Sequence, residues 1–153
     1  MQANLNRWSF LAVLPAALLA LVLASMPLGA RAETAKAMSA NDLVTAATQS
    51  ITTVTLAEAK DLLGKPGVVF LDVREVNETV QGTVPGAVNI PRGMLEFLVA
   101  NQLPDKDAQI VVYCSLGGRG ALAAETLGKM GYKNAVNMKG GYDAWVVAGK
   151  PVR

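Results

Sequence analysis

The chain has 153 residues, 52% of them apolar, with 14 Lys+Arg against 12 Asp+Glu, one cysteine and no histidine. That length and apolar content suit one domain with a real core. The counts exclude an internal disulfide, histidine-ligated metals, and hydrolysis by Cys–His or Ser–His–Asp machinery.

Residues 1–32 hold Arg7 and Arg31 and no acid, with the run FLAVLPAALLALVLASM from Phe10 to Met26. A basic start, an apolar middle and small residues at Ala30-Arg31-Ala32 form the order of a secretory signal peptide. Cleavage after Ala32 predicts a mature chain from Glu33, periplasmic or secreted. An uncleaved segment would instead be a membrane anchor, because the apolar run is nearly long enough to span. Removing it leaves 12 basic residues against 12 acidic ones, a formally neutral remainder without a basic stripe for nucleic acid.

Residues 33–50 are rich in Ala, Thr and Ser, lack aromatics, and read as a flexible N-terminal arm. Strand character begins at Ile51–Val54. Thr55 and Glu58 then form a capping-box pattern opening a short helix, which Gly64 and Pro66 stop. Val68–Leu71 is an apolar strand ending in Asp72-Val73-Arg74, where Asp72 and Arg74 read as a structural ion pair or loop clamp. A brief polar segment with Glu75 and Glu78 follows. Gly82–Gly86 is a turn, and Ala87–Ile90 a short strand closed by Pro91. Residues 93–102 carry a helical pattern. Past the central strand, Ala123, Leu127 and Met130 share one helix face and Gly131 can cap it. Ala135–Met138 is a last strand, after which Gly140-Gly141 turns the chain into a segment anchored by Trp145. Helices alternate with strands that are apolar on both faces. This predicts an α/β domain whose central sheet is mostly parallel and covered on both sides.

The chain is organised around Gln109–Gly120, reading QIVVYCSLGGRG. Ile110–Tyr113 has the composition of a fully buried strand. Cys114 ends it, and Ser115, Leu116, Gly117, Gly118, Arg119 and Gly120 lead into an alanine-rich helix. Strand, glycine-rich loop and helix start together make an anion cradle of converging N–H groups, beyond the carboxyl end of the sheet. A sulfur anion at its rim sits in the field that stabilises it. With no imidazole available, activation falls to backbone dipoles and a fixed cation, for which Arg119 is the nearest candidate.

Three segments together resemble a rhodanese-like domain: LDVRE at 71–75 with GTVPGAVNIP at 82–91, YCSLGGRG at 113–120, and GGYDAW with GKPV at 140–152. The resemblance spans essentially residues 51–152 and implies a three-layer α/β domain over residues 51–153. It implies a sulfurtransferase in which Cys114 carries sulfur as a persulfide, with Arg119 beside it. Ser115, Leu116, Gly117, Gly118 and Gly120 would bind substrate. The implied partners are a small anionic sulfur donor, such as thiosulfate, and a thiophilic acceptor, cyanide or a thiol; no cofactor or metal is implied. The six residues from Cys114 to Arg119 match the family's sulfur-handling loop, one residue shorter than that of phosphatases of the same fold. The loop lacks the extra basic residue of many thiosulfate-using members, and the turn before Pro85 carries Thr83 where the family usually has histidine. Two other readings stay open here: a binding or redox-sensing module that uses Cys114 only for recognition or mixed disulfides, and a phosphatase.

Overall fold

The computed structural model describes residues 37–153. The signal segment and residues 33–36 of the arm lie outside the described residues. Among the described residues, no helix is long and apolar enough to cross a membrane.

The chain runs α1 (Ala40–Ser50), β1 (Thr52–Val54), α2 (Leu56–Leu62), β2 (Val68–Asp72), α3 (Val76–Thr79) and β3 (Val88–Asn89). A 3₁₀ turn (Arg92–Met94) then leads into α4 (Leu95–Gln102), β4 (Gln109–Tyr113), α5 (Gly118–Lys129), β5 (Ala135–Met138) and α6 (Gly141–Val147). The five strands form one sheet in the order β1-β5-β4-β2-β3, and every pairing is parallel. The predicted class, an α/β domain with a parallel sheet between helical layers, is the one observed.

Strand β4 shows how the sheet makes two cores. Side chains alternate across a strand. Ile110, Val112 and Cys114 therefore enter one cluster with Leu95 and Val99 of α4 and Ala123 and Leu127 of α5. Val111 and Tyr113 enter the other, with Ala59 of α2 and Tyr142 and Trp145 of α6. Trp145 is fully buried edge-on to Phe70, and its indole N–H donates to the Pro151 carbonyl at 2.7 Å. Cys114 thus continues the register of β4 and faces the α5 side.

Residues 40–50 depart from the expected flexible arm. They form α1, opened by a capping box in which the Asp42 N–H donates to the Ser39 hydroxyl and the Ser39 N–H donates to Asp42. Two features hid it: aspartate stands where such a box more often has Glu or Gln, and the buried contact is made by a small residue, Ala47. The helix packs against α5, with Val44 beside Gly118. The brief polar segment is likewise helical, as α3, with the Glu75 N–H donating to Glu78 at 2.9 Å.

Candidate active site

In an all-parallel sheet the carboxyl ends of all strands lie on one edge, so the segments after β2, β4 and β5 meet there. Cys114 is 2% exposed at the end of β4. Its loop is held from behind by the start of α6. The Tyr142 N–H donates to the Cys114 carbonyl at 2.7 Å, and the Asp143 N–H to the Ser115 carbonyl at 3.1 Å.

Gly117 turns the chain into α5 with φ of +99°, a left-handed conformation that favours glycine. The turn aims its N–H at the Cys114 Sγ, 3.1 Å away. Among the described residues, the amides of Ser115, Leu116, Gly118, Arg119 and Gly120 donate to no backbone or side-chain acceptor. The unpartnered N–H groups of a helix's first turn and of the loop before it are what an anion cradle consists of. Leu116 stands at the rim, 76% exposed.

Two predicted site residues have partners that the sequence did not show. Arg119 was expected as a fixed cation beside Cys114 for an anionic substrate. Its guanidinium forks onto Glu78, with Nη1 to Oε2 and Nη2 to Oε1 both at 2.7 Å, and Nη2 also reaches the Ser115 hydroxyl at 3.3 Å. The Ser115 hydroxyl donates to Glu78 at 2.8 Å. Hydrogen bonding from Arg119, chiefly, lowers the Glu78 carboxyl from 4.5 to about 2. Arg119 is held charged well above its ordinary value. Its hydrogen bonds to Glu78 dominate, burial opposes, and the charges of Glu78 and Cys114 add to the effect. Gly120, expected to bind substrate, is buried beneath the loop, where a Cβ would meet the Asn137 Oδ1 at 2.5 Å and the Tyr113 Cα at 3.4 Å. Its lack of a side chain lets α5 approach β4 and β5 closely.

Asp72 and Arg74 form the expected clamp. Both are buried, and Arg74 also donates to the Gly82 carbonyl at 2.7 Å while its guanidinium lies 3.9 Å from the Tyr142 ring centre. Sequence reasoning missed two charged residues at this edge. Glu78 gave no signal beyond a polar segment, because its partners are 37 and 41 residues away. Lys139 follows β5, and its place in a parallel sheet was the available clue.

The arrangement offers a nucleophilic sulfur, anion-holding amides around it and no proton-shuttling imidazole. The family model for the Rhodanese-like domain matches residues 55–148. The human thiosulfate:glutathione sulfurtransferase is 34% identical over 106 residues, spanning 61% of this chain and 92% of the relative. A solved structure from Rhodopseudomonas palustris, described as a protein of unknown function and possible tyrosine phosphatase, superposes with a TM-score of 0.70 at 37% identity. That superposition covers 76% of this chain and 95% of the other. The polysulfide-sulfur transferase homodimer of Wolinella succinogenes superposes at 0.64 with 33% identity, over 72% and 83% of the two chains. With its parallel sheet, its cysteine loop after β4 and a match over most of the described residues, the chain belongs to the rhodanese-like domain family.

Proposed function

We propose that the protein is a sulfurtransferase that moves a sulfane sulfur from an anionic donor to a thiophilic acceptor through a persulfide on Cys114. One observation carries this reading: the Gly117 N–H lies on the Cys114 sulfur, in a loop whose other amides are unpartnered among the described residues. The sulfurtransferase relative and the polysulfide-sulfur transferase structure support the same class.

In the first half-reaction the Cys114 thiolate attacks the outer sulfur of thiosulfate. The Cys114 S–S bond forms, the donor's S–S bond breaks, and sulfite leaves with that bond's electron pair. In the second, cyanide or a thiolate attacks the terminal persulfide sulfur and returns the Cys114 thiolate. The loop amides hold the sulfur anions of both steps, and Glu78 fixes Arg119 and Ser115 at the loop's two ends. Thiosulfate is expected to be a modest donor, because the hydrogen bonds of Arg119 are committed to Glu78. The six-residue span from Cys114 to Arg119 fits sulfur better than a phosphate ester, which speaks against phosphatase activity. Residues 1–32 support export.

Mass spectrometry after incubation with thiosulfate should find one added sulfur atom on the Cys114 peptide. Cyanide should remove it and release thiocyanate, with ping-pong initial rates. Cys114→Ser should abolish turnover with the fold retained. Transfer by Cys114→Ser at the wild-type rate, or no persulfide with any sulfane donor, refutes the reading.

A further inference from the structure

The Cys114 loop has a cavity on each flank, and the two differ in charge. The flank toward α3 and α6 is a cavity of about 540 Å³ lined by Arg74, Glu78, Ser115, Asp143 and Val147, among others. Arg74 is paired with Asp72 and Glu78 with Arg119, so the one charge there without an ionic partner among the described residues is the Asp143 carboxylate. That flank disfavours an anion.

The other flank is a cavity of about 530 Å³ between α1, the end of β1, the start of α6 and residues Leu116–Gly118. Lys139 and Asn137 line it. Among the described residues Lys139 forms no ion pair. Asn137 is 5% exposed, and its Oδ1 has no hydrogen-bond partner. The oxygen is sealed over Gly120, so the amide Nδ2 is the polar end left toward the cavity. No acidic side chain among the described residues lines it, and Glu58, three residues beyond the lining Thr55, is occupied by the N–H and hydroxyl of Thr55. Gly117 forms part of the wall, and its N–H touches the Cys114 sulfur. An anion in this cavity therefore lies against the residue whose N–H contacts the nucleophile.

We propose that this cavity is the anion subsite for the sulfur donor, with the Lys139 ammonium and the Asn137 amide holding the sulfonate end of a thiosulfate-class molecule. The assignment rests on the sulfurtransferase reading for its substrate, but its charge selectivity is measurable without sulfur transfer. In this proposal donor charge enters over Lys139, the outer sulfur is directed along Gly117 to Cys114, and sulfite leaves the way thiosulfate came. Arg119 need not leave Glu78 at any point. Lys139 is a specificity-determining residue, since it holds the part of the donor that does not react.

The test combines steady-state kinetics with alkylation by two reagents of the same chemistry, neutral iodoacetamide and anionic iodoacetate. Lys139 is exposed, so its variants should fold. Lys139→Gln should raise KM for thiosulfate roughly three- to tenfold, one exposed ion pair acting on a doubly charged ligand. It should leave kcat and the iodoacetamide rate within about twofold, while iodoacetate slows relative to iodoacetamide, as expected for lost ground-state capture. Lys139→Glu should exceed these effects, and Lys139→Arg should restore wild-type behaviour. If persulfide forms but Lys139→Gln changes neither the thiosulfate KM nor the reagent ratio, the subsite is wrong and sulfur transfer stands. If no donor yields persulfide yet the iodoacetate preference depends on Lys139, the anion subsite stands and the sulfurtransferase reading fails.

Discussion

Glu78 ties α3 to a distant stretch of the chain, the Cys114 loop through Ser115 and the first turn of α5 through Arg119, 37 and 41 residues away. Replacing it by glutamine keeps the side chain's size and removes its charge. The pair with Arg119 is about a third exposed on both sides. It therefore belongs with surface pairs worth about 0.2–1 kcal/mol, toward the upper end because the contact is bidentate. The Ser115 hydroxyl and the Glu75 N–H exchange a charged acceptor for a neutral one, at about 0.5 kcal/mol each. Glu78→Gln should thus lose about 1–2 kcal/mol at neutral pH, roughly 4–8 °C in Tm for a domain of this size. The pH dependence makes the test specific. The folded-state carboxyl is lowered from 4.5 to about 2, so its stabilisation is complete above the unfolded value and is lost as pH falls through the folded one. Glutamine does not titrate. The difference in Tm between wild type and Glu78→Gln, followed by circular dichroism, should hold from neutrality down to about pH 5 and close as pH approaches about 2. Other carboxylates are common to both proteins and cancel. A difference that is the same at both ends of that range, or is absent at neutral pH, would refute the role given to Glu78.

Gly120→Ala places a methyl group 2.5 Å from the Asn137 Oδ1 at the α5–β4 contact, and should cost about 1–3 kcal/mol by overpacking. Chemical denaturation measures it, and an unchanged midpoint would show that α5 can shift freely. Export of the chain should yield a mature protein beginning at Glu33. Intact mass of protein from its native host decides this, and a full-length membrane-bound species would identify an anchor instead.

The residues that pack locally were the legible ones. The capping box at Thr55 and Glu58 forms as the spacing predicted, and β4 and β5 fall within a residue of the strands read from the sequence. Cys114 and its glycines were legible because strand, loop and helix are contiguous. What could not be read was pairing across distance. Arg119 was legible as a cation but its partner was not, because Glu78, 41 residues earlier, is brought to it only by the crossover from β2 to β4. Gly120 could be read as a cradle amide but not as a packing residue, since nothing local says that Asn137 of β5 lies against it. Helix α1 escaped because an alanine contact leaves little periodic signal.

The chemistry proposed needs no histidine. Acyl transfer needs a base because its nucleophile and leaving group exchange protons. In the transfer from thiosulfate, thiolate and thiosulfate become persulfide and sulfite, and no proton need move. The demand is instead electrostatic: two anions must approach one another, and the charge must be held as it passes from Cys114 to the outer sulfur and to sulfite. Preorganised amides meet it without titrating. Here they are those of Ser115, Leu116, Gly118, Arg119 and Gly120, with the Gly117 N–H on the sulfur itself. Side-chain cations then set which anion arrives rather than whether the bond forms. Such a site should respond strongly to a change of charge on its flank, which the paired thiosulfate and alkylation kinetics of Lys139→Gln and Lys139→Glu read directly.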